Sequence, residues 1–267
     1  RHLGFVPGGG LLVGAIADQL AATINDFSAD FYSSPIGAAI HHETVRWLCE
    51  VVGYGAEAYG DVTSGGSHAT ITALLVAREA KNIAAQDYDR TVVYLSTHTH
   101  HCAQKALRVL FGQSIIVRMA PLNADRIDPA ALASMIQSDL DQGLQPWAII
   151  ATVGTTNLGY VDPLAAIADI AERFALWLHV DGAYGGFFRL CAPTADLFVG
   201  LERADSIVLD PHKGLFLPYG CGAVVCKDGN LLREAGRLDE AESVLRAALA
   251  RDDGFVEAGI GLGMVMQ

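Results

Sequence analysis

The sequence predicts an α/β fold: one large domain with a mostly parallel sheet flanked by helices, continued by a C-terminal helical segment. Two observations point there. Short apolar, β-rich runs alternate with amphipathic stretches of about 10–15 residues, the pattern of a doubly wound sheet. Those runs are also mostly apolar on both faces, as strands become when helices cover the sheet on each side. A length of 267 residues suits one large domain, or one with a small appendage, and is long enough to bury a sizeable core.

Taken along the chain, helical periodicity carried by good helix formers predicts helices at Leu11–Phe27, Ala39–Val52 and His68–Ala85. A strand at Thr91–Ser96 leads to a helix at Ala103–Phe111, and a strand at Ser114–Arg118 to a helix at Pro129–Gln142. Pro146–Val153 is the next strand, followed by a helix at Pro163–Phe174 and then by strands at Leu176–Asp181, Ser206–Asp210 and Gly222–Cys226. Leu231–Ala250 closes the pattern as an amphipathic helix. This last stretch resembles a tetratricopeptide repeat, with Gly236, Leu238, Ala241, Ala248 and Leu249 at repeat positions and Glu257-Ala258 and Leu262-Gly263 at the opening of a next unit. About one repeat is covered, too little for an independent solenoid. An ordinary amphipathic helix is the other reading. The expected division is a large domain over 1–228 and a helical segment over 229–267.

Composition narrows the function. Thirty acidic against 18 basic side chains argue against a nucleic-acid surface, which needs clustered positive charge, and favour a small-molecule substrate. Charges such as Asp18 and Asp26 interrupt every apolar run before it reaches the ~18 residues of a membrane helix. The five cysteines are scattered, without a Cys-x-x-Cys pair, so reduced thiols and a cytoplasmic location are expected rather than a disulfide framework or thiolate zinc site. The opening Arg1-His2-Leu3 shows neither an initiator Met nor a leader, which suggests a truncated start.

Lys213 is the sharpest chemical clue. It is one of four lysines and lies among apolar neighbours in Asp210-Pro211-His212-Lys213-Gly214-Leu215-Phe216, just after a strand. Desolvation and a neighbouring His favour the neutral amine, the form that makes a Schiff base with an aldehyde. A structural lysine is the alternative. Asp181, at the carboxyl end of the apolar strand in His179-Val180-Asp181-Gly182-Ala183-Tyr184, could alone bind metal, cap a helix or hold a ribose. Paired with Lys213, it suggests the carboxylate that keeps a pyridinium nitrogen protonated, with Gly182 and Ala183 small enough for the ring to lie close.

Thr63-Ser64-Gly65-Gly66-Ser67 runs into a helix, where glycines, hydroxyls and the helix N-terminus can form a phosphate cup or simply a turn. In Thr97-His98-Thr99-His100-His101 the imidazoles lack a nearby acid or an i, i+4 partner, which disfavours zinc. A histidine stacked on a planar cofactor, or one starting a helix, fits better. His41-His42-Glu43 lies in an expected helix, either contacting substrate or on a solvated face.

In this order, these pieces resemble the group II pyridoxal 5′-phosphate (PLP) dependent decarboxylases, the family of aromatic-amino-acid, histidine and glutamate decarboxylases. The resemblance covers about residues 1–228 and also rests on Gly4-Phe5-Val6-Pro7-Gly8-Gly9 and Ala151-Thr152-Val153-Gly154-Thr155-Thr156. It implies the fold type I large domain and PLP as cofactor. Lys213 resembles the Schiff-base lysine, with His212 beside it; Asp181 resembles the partner of the pyridine nitrogen, and Ala183 packs on the ring. His100 resembles the histidine stacked on the other face, Gly66 and Ser67 the phosphate loop, and Thr156 a threonine contacting the cofactor. Asp210, also placed beside the cofactor, stands where relatives often have Asn. The catalytic set implied is Lys213, His100 and Asp181, with no metal.

The implied reaction removes the α-carboxylate of an amino acid, the electrons entering a pyridinium stabilised by Asp181. Relatives donate the closing proton from a mobile loop expected after Lys227, where the tetratricopeptide-like segment stands, and the family's small C-terminal domain is expected to be missing. Relatives are dimers, so a homodimer is expected, with the C-terminal helices a candidate surface for a protein partner. Transamination, aldol cleavage, oxidative deamination to an aldehyde, or a non-catalytic fusion fragment are the alternatives. All of this requires Lys213 and Asp181 to face one slot lined by His100 and Ala183.

Overall fold

The computed structural model of the chain describes residues 6, 9–27 and 32–236. Its helices are α1 (Leu12–Ile24), α2 (Pro35–Val52), α3 (Gly66–Ala80), α4 (His101–Phe111), α5 (Pro129–Asp141), α6 (Leu164–Arg173), α7 (Pro211–Gly214) and α8 (Gly229–Gly236). Its strands are β1 (Tyr59–Thr63), β2 (Thr91–Leu95), β3 (Ile116–Met119), β4 (Leu122–Asn123), β5 (Arg126–Ile127), β6 (Gln145–Thr152), β7 (Trp177–Gly182), β8 (Ser206–Leu209) and β9 (Gly222–Cys226).

Seven strands form one sheet in the order β1-β9-β8-β7-β6-β2-β3. The pairs from β8 through β7, β6 and β2 to β3 are parallel. β9 alone is reversed, pairing antiparallel with both β8 and β1, so β1 points the same way as the parallel block. The six expected strands all form, and the sheet is mostly parallel, as their two-sided apolarity predicts. Strand direction is not written in that pattern, however, and the reversal of β9 comes from the short connection after α7.

Each central strand feeds two cores. Val92, Tyr94, Ile149, Ala151, Leu178 and Val180 face the layer of α2, α5 and α6. Their neighbours Val93, Leu95, Ala148, Ile150, Trp177 and Val208 face α3 and α4. Ile149 and Ile150 are both fully buried on opposite faces, and burying such a side chain contributes roughly 2 kcal/mol.

The differences from expectation have local causes. α2 begins at Pro35, earlier than Ala39, because Ser34 caps it through Gly37 N (3.1 Å) and Pro35 fits the first turn. α3 stops at Ala80 rather than Ala85, with Asn82 turning into the left-handed region (φ 51°). β1 and the β4–β5 hairpin are additions to the sequence-based pattern. In α8, Leu231, Leu232 and Ala235 pack against the α3–α4 core. The tetratricopeptide-like stretch beyond Gly236 lies outside the described residues, as does most of Gly4–Gly9. No described helix is long and apolar enough to cross a membrane.

One buried group makes the fold pH-sensitive. His179 on β7 is fully buried, with Nδ1 2.9 Å from Ser206 Oγ, and burial lowers its pKa to about 4. Below the ordinary histidine value the unfolded chain takes up a proton that the folded one refuses, so stability falls with pH. Between pH 7 and 5 this loss amounts to about 2 kcal/mol. Urea midpoints at the two pH values should show it, and His179→Gln should flatten the dependence; an unchanged slope in the variant would assign it elsewhere.

Candidate active site

Five strands pointing the same way deliver their carboxyl ends to one edge, where ligands bind in such sheets. β1 ends in Ser64 and Gly65, which lead into α3; β2 leads through Ser96–His100 into α4; β6 leads into Val153–Thr156. β7 ends at Asp181, in register with Thr152 on β6 and Val208 on β8. β8 leads to Asp210, followed by α7, which carries His212 and Lys213. Together these ends enclose a cavity of about 400 Å³.

The nine residues that the resemblance places at the cofactor line this one cavity: Gly66, Ser67, His100, Thr156, Asp181, Ala183, Asp210, His212 and Lys213; His41, His42 and Glu43 do not. The lysine and the aspartate therefore share a single pocket rather than two. No group of three or more His, Cys, Asp or Glu side chains among the described residues is arranged to hold a metal ion.

Electrostatics separates the roles these groups can take. Burial raises the pKa of the fully enclosed Asp181 carboxyl, opposed by the Ala183 N–H donated to its Oδ1 (3.1 Å) and by Lys213 and His100. Burial, and then the neighbouring His101, lower the pKa of His100, which favours the neutral ring. Cys102 N donates to His100 Nδ1 (3.3 Å), so the neutral ring carries its proton on Nε2. His100 is the N-cap of α4, as the helix-start reading has it, and it also lines the cavity.

Lys213 Nζ lies 2.8 Å from Asp210 Oδ2, an i, i+3 ion pair that sequence reasoning missed. His212 donates through Nδ1 to Cys221 O (2.5 Å), which fixes its ring beside Asp210, and Tyr219 tilts against it with centroids 4.7 Å apart. Gly154 adopts φ 88°, and a Cβ there would come within 2.9 Å of the Tyr184 ring and 3.0 Å of Gly185 Cα. The β6 and β7 loops can therefore close on each other only with glycine at this place.

Other wall residues, apart from Ser64 of the expected phosphate cup, were not singled out. Thr70, Cys102, Thr152, Tyr184 and Tyr219 line the cavity, as do Ser64 and His68, joined at 2.6 Å between Ser64 Oγ and His68 Nδ1. Signals existed for some of these. Cys102 follows His100 by two positions, and Tyr184 lies three positions beyond Asp181. Burial raises the Cys102 thiol to about 11, which keeps it protonated and inert at neutral pH.

The conserved domain of pyridoxal-dependent decarboxylases matches residues 4–244. An aromatic-L-amino-acid decarboxylase of Bacillus atrophaeus is 39% identical over 239 residues, covering 89% of this chain and 49% of the relative. Among solved structures, Oryza sativa TDC with PLP and tryptamine superposes with a TM-score of 0.80 at 30% identity, over 86% of this chain and 50% of that one. Rhodiola rosea 4-hydroxyphenylacetaldehyde synthase superposes with a TM-score of 0.79 at 26% identity, over 86% and 52%. The chain spans about half the length of the curated relatives it matches. A match over most of the sequence, on a fold shared with these structures, places the chain in the pyridoxal-dependent decarboxylase family.

Proposed function

We propose that this chain is the cofactor-binding part of a PLP-dependent carboxy-lyase that removes the α-carboxylate of an amino acid. The observation that carries this reading is the convergence of Lys213, Asp181, His100 and the start of α3 on one cavity. The residues fit PLP in chemistry as well as in place. The first turn of α3 offers backbone N–H groups without intrahelical acceptors, next to Ser64 and Ser67 hydroxyls, which suits a phosphate. Thr152 Oγ1 is buried without a hydrogen-bond partner among the described residues, as expected of a wall that meets a polar ligand.

When bound, PLP supplies an aldehyde for amines and a pyridinium that accepts the electron pair released at the α-carbon. The chain's own groups have distinct tasks around it. Lys213 Nζ is the covalent anchor. Asp181 is a buried carboxyl placed to share a proton with a ring nitrogen, and the surrounding apolar strands exclude water from it. Neutral His100 would cover one ring face without adding positive charge, Ala183 would pack on the other, and Thr156 and His212 would contact the cofactor.

The test is a panel of amino acids incubated with the chain and PLP while carbon dioxide is followed. Release from at least one amino acid is expected, and none from any would sink the reading. The synthase-like structural relative favours one competing outcome, conversion to an aldehyde, which carbonyl trapping of the product distinguishes from an amine. The assembly is a homodimer, supported by the exposed apolar side chains of α1, among them Leu12, Val13, Ile16, Leu20 and Ile24. A cytoplasmic location is supported by five unpaired cysteines. The division taken is a large domain over 1–228 and a segment over 229–267 that the sequence expects to be helical and that is a candidate surface for a protein partner, which a pull-down with residues 230–267 tests.

A further inference from the structure

Asp210 is a buried carboxylate in an awkward place. It is 1% exposed and its carboxylate is wedged between two glycines: a Cβ on Gly66 would stand 2.8 Å from Oδ2, and one on Gly222 would stand 2.9 Å from Oδ1. Gly66 opens α3, the helix whose N-terminus forms the candidate phosphate cup. Oδ1 has no hydrogen-bond partner among the described residues. The charged and titratable groups facing Asp210 are Lys213 Nζ at 2.8 Å and His212 Nε2 at 3.9 Å from Oδ2, the Cys221 thiol, and Asp181 across the cavity.

Lys213 therefore balances Asp210 only while its amine keeps a proton. An amine cannot hold a proton for a carboxylate and attack a carbonyl carbon at the same time. A protonated imine at Nζ would keep a charge near Oδ2, but Oδ1, which has no hydrogen-bond partner among the described residues, still stands against Gly66 beside the phosphate cup, so two anions would share one helix N-terminus.

We propose that Asp210 sets the anion affinity of this cavity, opposing the phosphate of the cofactor and so making its binding weaker and more exchangeable than the cup alone would allow. The inference rests on the cofactor reading above and adds to it a residue that tunes how tightly the cofactor is held.

The experiment measures dissociation constants of PLP, pyridoxal and inorganic phosphate by equilibrium dialysis for the wild-type chain, Asp210→Asn and Asp210→Ser. Removing the charge is expected to tighten inorganic phosphate at least about tenfold and to raise the preference for PLP over pyridoxal by a similar factor. If both aldehydes shift together and their ratio holds, Asp210 acts only through the Lys213 amine and the proposal is overturned. Unchanged constants overturn it as well. Should neither variant fold, the wild type decides alone: a preference for PLP over pyridoxal below about a hundredfold supports an opposed phosphate, and a larger one refutes it. Failure of every protein to bind PLP would instead remove the cofactor reading, and this inference with it.

Discussion

Lys213→Ala is expected to abolish the absorbance band near ~420 nm that PLP acquires on joining a lysine, and to reduce carbon dioxide release at least about a thousandfold. Identical spectra for wild type and variant would remove Lys213 from its proposed role. A second effect follows from the ion pair at 2.8 Å. Truncation leaves Asp210, whose side chain is 2% exposed, buried without the ammonium that lies 2.8 Å from it. Removing one member of such a pair destabilises by about 3 kcal/mol, more than the lost attraction itself, because the remaining charge is left desolvated. Lys213→Ala should therefore lower the denaturation midpoint without cofactor, and adding Asp210→Asn should restore much of it. Chemical denaturation of the two variants separates this from the spectral effect.

Asp181→Asn tests the other end of the cavity. The amide keeps an oxygen to accept the Ala183 N–H but cannot share a proton with a ring nitrogen as a carboxyl does. The lysine-dependent absorbance should survive while carbon dioxide release falls about a thousandfold, since the electron pair left at the α-carbon loses its stabilised acceptor. Loss of absorbance and turnover in equal measure would make Asp181 a binding group instead. The variant should not cost stability, because burial already raises this carboxyl toward its neutral form, which an amide imitates.

Much of this architecture was legible because buried strands and functional loops follow opposite rules. Runs such as Trp147–Ala151 and Leu176–Leu178 are apolar throughout, so their position in a covered sheet follows from water exclusion alone. The polar residues directly after them, Asp181 and Asp210 to Lys213, stand out against that background and mark the ligand edge. β1 was illegible for the converse reason: Gly60 and Asp61 interrupt its apolar pattern, and a Cβ on Gly60 would come within 2.5 Å of Val224 O on β9. Its identity as a strand depends on a partner more than 150 positions away. The Asp210–Lys213 pair is written in its i, i+3 spacing on α7, but the sequence suggests a desolvated amine and the structure supplies a carboxylate beside it. The wall residues Thr152 and Cys102 were hidden because each is also an ordinary core residue in a strand or helix.

The reversed strand β9 has a consequence for how the protein is made. β1 meets β9 from Tyr59–Cys226 to Thr63–Gly222, and Gly222 packs so tightly on Gly65 that a Cβ would stand 2.5 Å from its Cα. The loop that opens α3 is thus buttressed by residues synthesised more than 150 positions later. A nascent chain can pair β2, β3, β6, β7 and β8 as they emerge, yet the anion-binding corner waits for the last strand, so a ribosome-bound intermediate ending before Gly222 carries the lysine but no finished seat for the cofactor.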